Sequence, residues 1–232
     1  MKADSVDLVD FHSHVLPKAD HGSSSTETSL FQLSEATAHG VRRIIATPHF
    51  YPTTHKVDTF VKRRNDAYFE LKAALGENSP EIKLGAEVLI CDGIEELPDL
   101  DKLFINGTRS LLLELPFATF NERYCDSVYM LKNRGVDVII AHADRYDPGN
   151  IEALVDNGAR IQLNADSLVG LFKRKRLYTW MERGLVIALG SDIHGSDKNA
   201  YQIFDKARAK IGDYLEVIKS ESDKIFDSAI SL

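Results

Sequence analysis

The chain has 232 residues, 44% hydrophobic and 27% charged, with a formal net charge of −7. That length suits one α/β domain spanning 1–232, since barrels of about 250 residues are routinely single units. The acidic balance argues against nucleic acid or an anionic membrane held by a basic surface, and no apolar run approaches the roughly 20 residues of a membrane span.

The beginning, MKADSVDLVD, has neither the apolar stretch nor the cleavage site of a signal peptide, so a cytoplasmic protein is expected. Cys91 and Cys125 stand apart, which suggests neither a zinc knot nor a disulfide framework. Apolar runs then alternate with helical segments. A strand is expected over 7–11, a helix over 26–40 with Leu30, Leu33 and Ala36 at helical spacing, a strand over 43–47 and a polar helix over 57–75. Strands over 82–88 and 110–114 follow, then a helix over 119–134 and a strand over 136–141. A short helix over 149–157, a strand over 160–163, a helix over 167–183 and a strand over 185–189 continue the alternation, and the tail from 197 reads as amphipathic helix. Such alternation indicates parallel βαβ units. The dinucleotide fingerprint and the P-loop are both missing, so no nucleotide cofactor is supported.

Polar residues collect where the strands end. His12 and His14 follow the first run, His49 the second, Glu87 the third, Glu114 the fourth, His142 the fifth, and Asp192 with His194 the last. In an open sheet only the switch point gathers ligands, whereas every strand mouth of a barrel faces one basin. The pattern therefore favours a closed or nearly closed barrel. His12 and His14, spaced i, i+2, share one face of an extended strand, and Asp192 and His194 do the same if their segment is extended. With His21 the set holds nine candidate ligands, more than the three or four of one tetrahedral centre, so two or three divalent ions sharing carboxylates are expected. Such a centre activates water and neutralises a developing oxyanion. Plainer readings compete: His21 lies in a loop, Glu114 could pair at a strand end, and Asp20, Asp144 and Asp166 read as turn or cap residues.

The segments DFHSHVLPKADHG, ATPHFYP, GAEV, LLELP, AHADRY, LNADSL and GSDIHG, in that order, resemble the polymerase-and-histidinol-phosphatase (PHP) family. More narrowly, they resemble its bacterial manganese-dependent tyrosine-phosphatase branch, linked to capsule and exopolysaccharide export. The likeness runs from about residue 7 to residue 200. It implies an α/β fold, a distorted (β/α)7 TIM-like barrel with divalent ions, manganese first and iron or zinc as the other options. By the resemblance, His12, His14 and Asp192 hold the first ion and Glu87 bridges it to the second. Glu114 and His142 complete the second, and His49, His194 and His21 hold the third. The branch has two acidic residues before the loop glycine, whereas this chain reads Asp20-His21-Gly22. Arg145 matches the arginine that grips substrate phosphate. A second such arginine is not evident, and Lys198 would offer only a point charge there.

The expected reaction is hydrolysis of a phosphomonoester by a metal-bound hydroxide, with Arg145 neutralising phosphoryl oxygens and Asp192 or His194 as candidate acids. Neither cysteine is followed by arginine at the spacing of cysteine-based phosphatases. The implied partner is a phosphotyrosine protein, such as a tyrosine kinase of polysaccharide export, and a homo-oligomer is an option of the branch. The rivals are a small-molecule phosphatase acting on histidinol phosphate, an amidohydrolase-like or TatD-like metal hydrolase, and a non-enzymatic kinase-binding regulator.

Overall fold

The computed structural model describes residues 7–117, 120–170 and 175–232. Its strands are β1 (Asp10–Ser13), β2 (Arg43–Ala46), β3 (His49–Phe50), β4 (Glu81–Leu84), β5 (Glu87–Leu89), β6 (Ser110–Glu114), β7 (Asp137–Ile140), β8 (Arg160–Asn164) and β9 (Val186–Gly190). All pair in parallel within one sheet, in the order β3-β5-β6-β7-β8-β9-β1-β2-β4.

Nine segments follow seven courses. The β2–β4 ladder pairs Arg43 with Glu81 and Ala46 with Leu84, and the β3–β5 ladder pairs His49 with Glu87 at the same sequence offset. Hydrogen bonds from Gly85 to Ala46 O and from Glu87 to Pro48 O carry the ladder across the breaks. β2 and β3 are thus one course interrupted at Thr47-Pro48, and β4 and β5 one course interrupted at Gly85-Ala86. Since β1 pairs with β2 and β9, and β5 pairs with β6, every course has two neighbours and the ring closes. The seven expected strands are these courses, the second and third each running past the expected end to Phe50 and Leu89.

The helices are α1 (Thr26–Ala38), α2 (Val57–Lys72), α3 (Arg123–Asn133), α4 (Pro148–Asp156), α5 (Asp166–Val169), α6 (Lys175–Glu182), α7 (Ala200–Ile211) and α8 (Leu215–Ser228). Ser25 caps α1 by accepting from the Thr28 amide, and Asp147 caps α4 ahead of Pro148. The expected helix over 119–134 starts at a residue outside those described, and the part seen begins at Arg123. That over 167–183 appears as α5 and α6, with 171–174 outside the described residues. Residues 94–103, which carry no helical period, form two short 3₁₀ turns. No helix among the described residues is long and apolar enough to cross a membrane.

Two apolar cores result. The larger packs the helices on the outside of the sheet. The smaller fills the barrel with Val9, Phe11, Ile45, Leu112, Ile139, Ala141 and Ile187, joined by Ile225, Phe226 and Ala229 of the terminal segment. Strand alternation then hands the face over from core to chemistry: Leu112 lies in the inner core, and Glu114, two residues on, lies in the site.

Candidate metal centre

Among the described residues, three groups of side chains bring one ligand atom each within 4.8 Å of one another: His12 with His14 and Glu87, His49 with Glu87 and Glu114, and His14 with His49 and His194. The members come from β1 and the residue after it, β3, β5, β6 and the loop after β9. His12, His14, Glu87 and His142 are almost wholly buried.

The Nε2 atoms of His12 and His14 lie 3.2 Å apart. Glu87 Oε2 is 3.2 Å from the first and 3.4 Å from the second, and Asp192 Oδ1 is 3.7 and 3.3 Å away. Ligands about 2.1 Å from one ion stand roughly 3.0–3.4 Å apart, so these four atoms have the spacing of a coordination shell. The other face of Glu87 continues the pattern. Its Oε1 is 2.7 Å from His142 Nε2, and its Oε2 is 2.8 Å from His49 Nδ1. Glu114 stands 3.7 Å from His49 Nδ1 and 3.8 Å from His142 Nε2.

Outer hydrogen bonds settle which nitrogen faces inward. His12 Nδ1 lies 3.2 Å from Gln162 Oε1, an acceptor only, so Nδ1 carries the proton and Nε2 presents its lone pair. His14 Nδ1 is 2.7 Å from Asp20 Oδ2, and His194 Nδ1 is 2.9 Å from the Asp192 carbonyl. Two lone pairs facing each other across 3.2 Å need a cation or a proton between them. His49 Nδ1, Glu87 Oε2 and His194 Nε2 are buried and make no hydrogen bond, a rare condition for buried polar atoms. The donor set fits divalent ions.

The charge balance agrees. Burial pushes the Glu87 carboxyl up, but His12, His14 and His142 outweigh it and hold it well below the usual range. Asp192 behaves likewise under His12 and His14. Burial lowers His12 and His14, yet the surrounding carboxylates raise both above the ordinary value. Glu114 is raised by burial and by Glu87. His194 is held down at about 4 by burial and by His14.

Backbone geometry serves the same end. His142 and Asp192 adopt left-handed φ of 33° and 51°, a strain that concentrates at functional sites. The segment from Asp192 to His194 is consequently not extended, so the condition for a shared i, i+2 face is not met there, and Asp192 Oδ1 lies 3.7 and 3.3 Å from the His12 and His14 Nε2 atoms. A Cβ on Gly190 would stand 2.6 Å from the His12 Cβ, and one on Gly22 only 2.2 Å from that of His14. Both glycines are required by close approach.

His21 is exposed and outside the three groups, although its ring stacks on His49 and His194 at 4.7 and 4.8 Å. The loop carboxylate that reaches the centre is Asp20, which also accepts from the His49 and Gly22 amides. Reading Asp20 as a turn residue caught only the Gly22 bond. Gln162 was missed altogether: it is fully buried and also accepts from the His142 amide at 2.7 Å. Its one signal is a polar residue inside the apolar run of β8. Arg145, in a 3₁₀ turn after His142, donates to Asp192 Oδ2 at 2.7 Å, and Asn164 donates to the same oxygen at 2.9 Å. Lys198 is exposed.

A family model for capsular polysaccharide synthesis, CpsB/CapC, matches residues 8–221. The tyrosine-protein phosphatase YwqE of Bacillus subtilis is 31% identical over 201 residues, 81% of this chain and 77% of its own length. The tyrosine-protein phosphatase CpsB of Streptococcus pneumoniae is 26% identical over 221 residues, 86% of this chain and 90% of its own. A crystal structure from work on these two metal-dependent tyrosine phosphatases has a TM-score of 0.77 at 23% identity, covering 97% of this chain and 96% of that one. The chain belongs to the CpsB/CapC family of capsular polysaccharide synthesis.

Proposed function

We propose that the protein is a metal-dependent phosphatase acting on phosphotyrosine in a protein partner. The observation that carries the reading is the convergence of the His12 and His14 Nε2 atoms with Glu87 and Asp192 at coordination spacing, beside Arg145. His12, His14 and Asp192 would hold a first ion, with Glu87 shared with a second held by His49, Glu114 and His142. His49 and His194 would hold a third, with His21 at its open side. Imidazole and carboxylate donors without thiolate suit manganese, iron or zinc, and manganese is the metal that the family resemblance implies first. Bound ions would supply Lewis acidity and an activated water.

The chain's own residues do the rest. Arg145 is anchored by Asp192 and exposed beside the centre, where it would bind phosphoryl oxygens. Asp192 accepts from Arg145 and Asn164 on one oxygen and faces His12 and His14 with the other, so it serves as ligand and anchor. A phenol titrates near about 10, so the leaving oxygen needs less protonation than an alkoxide would. A polysaccharide-export tyrosine kinase in the cytoplasm is the partner that the family membership favours. The test is turnover of p-nitrophenyl phosphate, a phosphotyrosine peptide, histidinol phosphate and DNA, with Mn²⁺ and with chelator. Phosphopeptide turnover that is lost on chelation and in folded His142→Ala supports the reading; equal turnover in that variant overturns it.

A further inference from the structure

Beside Arg145 lies a cavity of about 230 Å³, walled by Phe117, Phe120, Tyr124 and Tyr146. Arg145, Asp147 and Asn150 supply its polar edge. Tyr146 ties the wall to the metal centre. The Tyr146 hydroxyl donates to the Leu115 carbonyl at 3.0 Å and accepts from its amide at 3.2 Å, while the ring lies 5.5 Å from that of His142. Phe120 and Tyr124 meet edge to face at 5.8 Å, and Phe117 stands 6.3 Å from Tyr146. Phe117 is 79% exposed, the highest value for a large apolar side chain among the described residues. A bare aromatic at the lip of a concave site marks a place where a ligand covers it.

The chemistry of the walls selects the occupant. Asp147 puts a carboxylate beside the cavity, and Arg145 already faces Asp192, so a second anion is disfavoured inside. Four aromatic faces favour a flat, neutral ring. A cavity of roughly 150 Å³ takes a benzene, so there is room for a phenol. Arg145 borders both the cavity and the metal centre, and an ester oxygen places an aryl ring immediately next to its phosphate.

We propose that the pocket between Phe117, Phe120, Tyr124 and Tyr146 receives the leaving-group ring of an aryl phosphoester and sets the preference for phenolic over alcoholic phosphates. The inference rests on the phosphatase reading above for its substrate. Phe117→Ala and Tyr124→Ala are compared with Phe69→Ala, which removes an exposed ring on α2 outside the cavity. The first readout is the ratio of kcat/KM for phenyl phosphate to that for propyl phosphate in Mn²⁺-loaded protein. The second is saturation-transfer NMR of phenylphosphonate against octylphosphonate with metal-depleted protein.

The expected result is a fall in the ratio of about tenfold or more in Phe117→Ala and Tyr124→Ala, carried by KM, because one buried ring contributes at least that much. Phe69→Ala keeps the wild-type ratio. The phenyl protons contact the wild-type protein and lose that contact in the two cavity variants. An unchanged ratio, an equal fall in Phe69→Ala, or preferred binding of the octyl chain overturns the proposal. Absence of turnover on every phosphoester would strike the phosphatase reading instead, with ring contact in the metal-depleted protein still reporting on the pocket.

Discussion

Replacing Gln162 by leucine isolates the outer support of the centre without touching a ligand. In the wild type, Gln162 Oε1 accepts from the His142 amide at 2.7 Å and from His12 Nδ1 at 3.2 Å, while its amide donates to Asn164 Oδ1 at 3.0 Å. Leucine leaves the buried His142 N–H without a partner, at about 1–3 kcal/mol. It also frees His12 to move its proton to Nε2, which removes the lone pair that faces Glu87 and Asp192. Outer-shell losses of this kind typically cost about 10–100-fold in metal affinity. Together these give a metal-free protein destabilised by about 1–3 kcal/mol and a first ion bound at least about tenfold more weakly. Urea denaturation of metal-depleted protein and calorimetric Mn²⁺ titration measure the two effects separately. Wild-type Mn²⁺ affinity in folded Gln162→Leu would refute the claim that this glutamine orients His12.

Metal should replace a proton, and the sign of that exchange is checkable. His12 and His14 have folded pKa values raised above 6.5, so their contribution to metal-free stability is full below about 6.5 and is lost as pH rises through the raised values. His194, held down at about 4, works oppositely: its contribution is present above about 6.5 and lost as pH falls towards 4. Mn²⁺ at a fixed concentration about 100 times its Kd at pH 7 would add about 2.7 kcal/mol there, or about 5–10 °C in Tm, and at that same concentration the increment should grow from pH 6 to pH 8.5; a constant or shrinking increment contradicts this. Arg145→Lys keeps the charge and loses the fork, so kcat/KM for a phosphotyrosine peptide should drop about 10–100-fold, and an unchanged value would remove Arg145 from phosphate binding. Phe226→Ala empties the barrel floor, where Arg43 and Lys83 lie 5.7 and 5.5 Å from the ring centroid. It should lower stability by about 3–5 kcal/mol in denaturant while specific activity per folded molecule is kept.

The ring of parallel strands was legible because each course is an apolar run buried on both faces, and because the polar residue closing each run advertised the common basin. The breaks at Thr47-Pro48 and Gly85-Ala86 were not. They are events of pairing between distant segments, and only the shared register shows that β2 with β3, and β4 with β5, are continuous. His12, His14, His49, Glu87, Glu114 and His142 could be picked out because strand ends constrain where their side chains point. Asp20 and Gln162 escaped because an acidic loop residue and a polar strand residue have many local explanations, and their role depends on which imidazole lies opposite. The loop turns Asp20 inward and leaves the His21 ring stacked on His49 and His194 at the open side of the centre, a placement that residue type and loop position alone do not give.

Diffraction at the manganese absorption edge from Mn²⁺-soaked crystals tests the centre most directly. Anomalous peaks are predicted between His12, His14, Glu87 and Asp192, and between His49, Glu87, Glu114 and His142, with phosphopeptide turnover abolished when chelation removes them. A basin without anomalous density, in protein that hydrolyses phosphotyrosine at full rate in chelator, would contradict the account.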